Sequence, residues 1–169
     1  MPITRHAKST TTPSFAGLRP ASEASSRTKR NNRNVDTLHE VALRSELWRM
    51  GLRFRKNVRS LPGKPDIVFS GAHVVVFCDG DFWHGRDWPN LRKKLRRGSN
   101  APYWSAKIAR NIRRDASITN LLKCAGWHVI RIWEGKIREN PALVAAQVRK
   151  IVTARRRQVG GRDAPRRKL

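Results

Sequence analysis

Cysteine is scarce: Cys78 and Cys124 are the only two in 169 residues, too few for a disulfide framework, and no Cys-x-x-Cys or Cys/His ligand cluster is present. No apolar run approaches the roughly 18 residues of a membrane span, and the amino terminus lacks the apolar stretch of about 7 to 15 residues that a secretory signal needs. These absences predict a protein of a reducing cytoplasm with no membrane partner. Acidic residues are also few: 12 Asp and Glu face 37 Lys and Arg, a formal net charge of +25. Such an excess implies a polyanionic partner, nucleic acid first, because each cation placed near a phosphate releases condensed counterions.

The excess is not confined to the ends. Residues 1–36 and 155–169 hold seven Lys/Arg each, with three acids between them, which leaves a net +14 within 37–154. Residues 1–35, rich in Ser, Thr, Pro, Arg and Asn, cannot bury enough apolar surface to offset backbone ordering and read as a disordered basic arm. Residues 155–169 read as a basic flexible tail, so one domain over 36–154 is expected.

Within that domain Asp36-Thr37 offers an N-cap before Leu38, Val41, Ala42, Leu43, Leu47 and Trp48, whose spacing predicts a helix over 37–50, stopped at Gly51. Arg53–Arg59 reads as a short exposed strand broken by Leu61-Pro62-Gly63. Ile67-Val68-Phe69 and Val74-Val75-Val76-Phe77, joined by Ser70-Gly71-Ala72, predict a hairpin buried on both faces. A short basic helix is expected within Arg86–Arg97. A longer one follows over 101–124, with Trp104, Ile108, Ile112, Ile118, Leu121 and Leu122 along one stripe and Lys107, Arg110, Asn111 and Arg114 on the other face. Trp127–Trp133 reads as a strand, and Pro141 opens a last helix to about 154. This order predicts an α/β fold with a central mixed sheet flanked by helices.

The chemistry-bearing residues gather at the hairpin. Asp66 follows Pro65 at the start of one strand; Asp79 and Asp81 leave its partner, followed by Phe82-Trp83-His84. A hairpin returns those acids to the neighbourhood of Asp66, and an imidazole beside hard carboxylate ligands suits metal-assisted phosphodiester cleavage. Taken singly these residues have plainer readings: Asp66 as a turn or capping residue, His84 as packing, Phe82 and Trp83 as core, and the cations of 101–124 as a solvated helix face. On the residues alone, a DNA-binding protein without catalysis stays open beside a nuclease.

The sequence from about Asp36 to Glu134 resembles the very short patch repair (Vsr-type) DNA mismatch endonucleases, a branch of the PD-(D/E)xK, restriction-endonuclease-like superfamily. The likeness is carried by Asp36-Thr37 with Glu40, Gly51-Leu52-Arg53-Phe54-Arg55, Leu61-Pro62-Gly63-Lys64-Pro65-Asp66 and Phe82-Trp83-His84. Tyr103-Trp104 with Lys107-Ile108 and Asn111, Arg114-Asp115, Gly126-Trp127 with Val129, and Trp133-Glu134 extend it. The resemblance implies the three-layer fold of that superfamily and a Mg²⁺-dependent endonuclease that nicks one strand of double-stranded DNA at a T:G-type mismatch. It makes Asp66 the metal-binding carboxylate and His84 the residue that activates water. Glu40 supports the water and histidine network, Cys78 gives the metal its main-chain carbonyl, and Asp79 is a further site residue that bonds water or the scissile phosphate. Phe82 and Trp83 match aromatics that wedge into the base stack, while Lys64, Lys107, Arg110, Asn111 and Arg114 are the expected DNA contacts.

A monomer in the bacterial cytosol or nucleoid, with a DNA methyltransferase or mismatch-repair proteins as partners, is the matching expectation. The chain departs from the family at its zinc-ligand positions, which here read Asp81, Arg86, Trp88 and Gly135, so no structural zinc is expected. Packing by Trp88 and Pro89 or an Asp81–Arg86 ion pair would have to stabilise that loop. The altered loop also raises a second substrate reading, a nickase or restriction-type nuclease without mismatch specificity.

Overall fold

The computed structural model describes residues 35–98 and 100–162. Helix α1 (Leu38–Arg49) leads to a two-residue strand β1 (Arg55–Lys56), then β2 (Ile67–Phe69), a 3-10 turn at Ser70–Ala72 and β3 (Val74–Asp79). After a loop come α2 (Trp88–Leu95), α3 (Ala101–Cys124), β4 (His128–Trp133), α4 (Glu134–Glu139) and α5 (Pro141–Arg162). The sheet order is β1-β2-β3-β4. The first two pairings are antiparallel and β3–β4 is parallel, so the sheet is mixed as expected.

The long apolar strand β3 forms the centre because every one of its six residues is buried, and β2 is buried throughout as well. Side chains of successive strand residues point to opposite faces, and the sheet accordingly separates two cores. On one face Leu43 and Leu47 of α1 and Val144, Val148 and Val152 of α5 meet Ile67, Phe69, Val74 and Val76. On the other, Leu122 and Ile118 of α3 meet Val68, Val75 and Phe77. The result is three layers, with α1, α4 and α5 on one side and α3 on the other. Truncating a fully buried residue such as Leu47 to alanine should cost about 2–5 kcal/mol.

Several boundaries differ from the sequence reading. Thr37 is the N-cap of α1, yet its hydroxyl bonds Glu40 Oε1 (2.7 Å) rather than a backbone N–H of the first turn. Glu40 Oε2 in turn accepts the N–H of Asp36 (3.0 Å), the residue before the N-cap. Only Arg55–Lys56 of the 53–59 segment pairs as strand. Leu121 points outward, whereas Asp115 is buried on the stripe shared by Ile108 and Leu122. Helix α5 runs through Arg162, past the boundary expected at 154, and α4 before it was not foreseen. The basic arm expected over 1–35 lies, apart from Val35, outside the described residues, as does the end of the tail.

Candidate active site

The register of the hairpin builds the first part of the site. With Ile67 opposite Val76, Asp66 sits beside the end of β3, and its Oδ2 accepts the Cys78 N–H at 2.7 Å. Burial pushes the Asp66 carboxyl up to about 6; the Cys78 N–H opposes this, and the nearby Glu40 and Asp79 carboxylates add to it. Burial, again joined by these carboxylates, also holds the Cys78 thiol protonated well above its usual range. Glu40, itself buried, is fixed by Asp36 N–H, the Thr37 hydroxyl and Arg44 Nη1 (3.3 Å).

Beyond β3 the chain turns sharply, and parallel pairing of Asp79 with Trp133 makes Gly80 and Glu134 emerge side by side. The turn brings His84 back onto α3. Gly85 has φ +72° and lies so close to α3 that a Cβ would meet Ile112 Cδ1 at 2.6 Å, so the loop seats His84 there only with glycine next to it. His84 Nδ1 lies 2.6 Å from Asp115 Oδ2 and 3.4 Å from Asp79 Oδ1. A carboxylate only accepts, so Nδ1 carries the proton and Nε2 keeps its lone pair.

Arg131, in the middle of β4, ties these acids together. Its Nε and Nη2 donate to Asp79 Oδ2 and Oδ1, each at 2.7 Å, and Nη2 lies 3.3 Å from Asp115 Oδ1. Burial alone would raise the Asp115 carboxyl; the His84 hydrogen bond and the Arg131 and Arg114 charges outweigh it and hold the carboxyl below its usual value. Asp115 therefore stays ionised beside a fixed imidazole.

A cleft of about 860 Å³ opens here, lined among others by Glu40, Cys78, Trp83, His84, Lys107 and Arg114. Trp83, Trp104 and Phe82 form an edge-to-face cluster with ring centroids 5.2 to 5.7 Å apart. Lys107 Nζ lies 5.4 Å from the Trp83 ring centroid, and Asn111 Nδ2 donates to Trp83 O at 2.9 Å. Phe82 is the outermost of the three, 38% exposed. At the family's zinc-ligand positions, Arg86 Nη1 and Asp81 Oδ2 form an ion pair at 3.0 Å, and Gly135 N–H reaches Asp81 Oδ1 at 3.3 Å. The loop bearing His84 is thereby fastened to the start of α4.

The residues singled out from sequence thus divide. Glu40, Cys78, Trp83, His84, Lys107, Asn111 and Arg114 line one cleft, with Asp66 bonded behind Cys78. Asp79 does not line it: both its oxygens face Arg131, and Oδ1 also lies 3.4 Å from His84 Nδ1. The ring of His84 is held by Asp115 and Asp79, not by Glu40. Arg110 and Lys64 are exposed and outside the cleft lining. Asn111 is occupied with the loop. The sequence reading passed over Asp115 and Arg131 as site residues; an acid on the buried stripe of α3 and a cation inside a strand were the available signals. It also passed over His39 and Glu134, which line the cleft 3.8 Å apart.

The donor set fits a hard cation such as Mg²⁺. Asp66 is a half-buried carboxylate whose charge is under-compensated, and the Cys78 thiol is held protonated. One carboxylate supplemented by backbone, water and phosphate oxygens is the Mg²⁺ pattern; thiolate and imidazole ligands would mark zinc.

A mixed four-stranded sheet between helical layers, with an acid and a histidine meeting at the end of its hairpin, defines the restriction-endonuclease-like class. Comparison with known proteins narrows this. The family profile described as DNA mismatch endonuclease Vsr matches residues 21–90. The type II nicking enzyme V.NmeDIP of Neisseria meningitidis serogroup C is 43% identical over 122 residues, covering 72% of this chain and 81% of that protein. The type II nicking enzyme V.HpaIIP of Haemophilus parainfluenzae is 35% identical, covering 75% and 89%. The DNA mismatch endonuclease Vsr of Escherichia coli K12 is 36% identical, covering 61% and 64%. The chain belongs to the Vsr-type family of DNA endonucleases.

Proposed function

We propose that this protein is a Mg²⁺-dependent DNA endonuclease that hydrolyses one phosphodiester in one strand of a duplex, at a T:G-type mismatch. The observation that carries the reading is the 2.6 Å contact between His84 Nδ1 and Asp115, in a cleft that also holds Glu40 and Cys78. It leaves Nε2 as the acceptor for a proton from water, and Asp115 with Asp79 stabilises the imidazolium that forms. Arg131 holds both acids in place. Asp66 and the main-chain carbonyl of Cys78 would hold the cation, which when bound polarises the phosphate and acidifies water. Glu40, fixed at the N-terminus of α1, faces the water side of the cleft.

Phe82 and Trp83 act as the wedge, for which unstacking is cheapest at a weak pair. Lys107 and Arg114 contact phosphates beside them, and Arg110 and Lys64 serve more distant parts of the duplex. The protein works as a cytosolic monomer beside a DNA methyltransferase or mismatch-repair proteins, and the Asp81–Arg86 pair takes the place of structural zinc.

The same Asp81–Arg86 pair, next to the wedge, favours a second substrate reading, a nickase indifferent to mismatch. Purified protein with Mg²⁺ and end-labelled matched, T:G and methylated duplexes decides between them. Preferential nicking of the T:G duplex is expected; equal rates on all three would transfer the proposal to the second reading. Asp66→Ala should abolish nicking and leave DNA binding largely intact, and cleavage retained in that variant would refute the metal assignment.

A further inference from the structure

Helix α2 carries a feature that the cleft does not use. Between Arg92 and Arg97 five of six residues are cations, Arg92, Lys93, Lys94, Arg96 and Arg97; all five are exposed, and none forms an ion pair among the described residues. Trp88, Leu91 and Leu95, at helical spacing, are only half-buried, and no residue of the helix is fully buried. The helix packs against α3, and its cations are exposed.

Such a helix is poorly supported from within. At its C-terminal end Arg92 faces the C-cap Arg96 at i,i+4, a like-charge pair that weakens the helix, and no acid lies inside the helix to compensate. Its N-cap, Asp87, is in the left-handed region (φ 52°), and its side chain bonds Asn90 rather than a backbone N–H. A polyanion laid along the outer face would turn the repulsion into attraction.

We infer that α2 is a docking surface for the sugar–phosphate backbone of duplex DNA flanking the cleft, and that DNA binding stabilises this helix. The occupant follows from charge and from position: α2 begins four residues after His84 and leads into α3, whose Lys107 and Arg114 line the cleft. The cationic stretch, from Arg92 to the C-cap Arg96 and Arg97 just beyond it, spans about 7.5 Å. That length of duplex carries about four phosphate charges, so α2 should account for a change of about 3 to 4 in the slope of log affinity against log salt. The inference takes its polyanion from the nickase reading but does not depend on cleavage.

The test is fluorescence anisotropy of the full chain with a labelled T:G duplex in chelator, with KCl raised from about 50 to 200 mM. In a variant with Arg92, Lys93, Lys94, Arg96 and Arg97 all changed to Gln, a good helix former, the slope should fall by about 3 to 4. The wild type should then lose about 100-fold more affinity than the variant across that range. A second variant, with lysine at the three arginines, keeps the charge and should keep the slope. Neutralising Arg149, Lys150, Arg156 and Arg157 on α5, in the opposite layer, should change it much less. An unchanged slope in the Gln variant, a slope lost equally in the lysine variant, or an equal loss from α5 would each overturn the assignment. Wild-type nicking in Mg²⁺ is read in parallel. Nicking without an α2 effect removes this inference alone, and an α2 effect without nicking removes the proposed reaction alone.

Discussion

Replacing Asp115 by asparagine should move a proton on His84 from one ring nitrogen to the other. Asp115 Oδ1 faces Arg131 Nη2 at 3.3 Å and Arg114 Nη2 at 3.4 Å, both obligatory donors. An asparagine in this place must keep its amide oxygen toward the guanidinium groups, which turns its NH₂ toward His84 Nδ1. That nitrogen then accepts, and the ring proton moves to Nε2, where the reaction needs a lone pair. Loss of a positioned general base costs about 10²- to 10⁴-fold, or about 3 to 5.5 kcal/mol of barrier. Asp79, 3.4 Å from the same Nδ1, offers a partial rescue, so the lower half of that range is expected, and Asp79→Asn with Asp115→Asn should reach the upper half. The assay is single-turnover nicking at saturating protein, with thermal melting to establish that the variant folds. A rate within about threefold of wild type in a folded Asp115→Asn variant would refute the proton assignment on His84.

Other expectations concern stability. Burial near Glu40 and Asp79 raises the folded-state value of Asp66 to about 6, so the stability from its neutral form is fully present below the ordinary 3.8 and lost as pH rises through 6. In chelator at neutral pH, Asp66→Asn should therefore be more stable to urea than wild type, by at most about 3 kcal/mol; equal or lower stability would contradict the buried charge. His128 is shifted the other way: burial, then Arg155 and Lys123, lowers it below its ordinary 6.5. Its contribution is complete above 6.5 and falls away as the solution is acidified, so His128→Gln should flatten the fall in melting temperature between neutral and acidic pH, and an identical profile would remove that cause. At Gly135 a Cβ would run into Arg86 Nη1 and Asp81 Oδ2, both ends of part-exposed side chains that can give way. Gly135→Ala should then cost no more than about 1 kcal/mol in a melt, and a severe loss of stability would mean the loop is held far more rigidly than by one exposed pair.

The hairpin was legible because its signals are local: two β-branched runs, a short turn between them and a proline before the acid fix both strands and the place of Asp66. The stripe of α3 was legible for the same reason, apart from Leu121. What periodicity could not supply was the meaning of Asp115. An acid on an apolar stripe can be buried only with partners, and these come from His84, 31 residues earlier, and from Arg131 on the strand after the helix. Asp79 illustrates the converse: its position in the motif places it beside the cleft, but the guanidinium across the parallel pair decides which way its carboxylate is used. Helix α4 was missed because six residues between a strand and Pro141 leave too short a window for a period.

The buried charges of this site make sense as one unit. Asp79 and Asp115 face two guanidinium groups, Arg131 against both acids and Arg114 against Asp115, with the His84 ring set between the acids. A network of this kind contributes little net stability when fully formed and costs several kcal/mol when one member is deleted; what it supplies instead is a fixed ring, a fixed proton on Nδ1 and a place for the second proton. Glu40 already has Arg44 at 3.3 Å, whereas Asp66 accepts a backbone N–H from Cys78 and meets the like charges of Glu40 and Asp79. In the proposed reaction the two halves have different tasks: the His84 side would take the proton of the attacking water, and Asp66 would hold the cation that acidifies it.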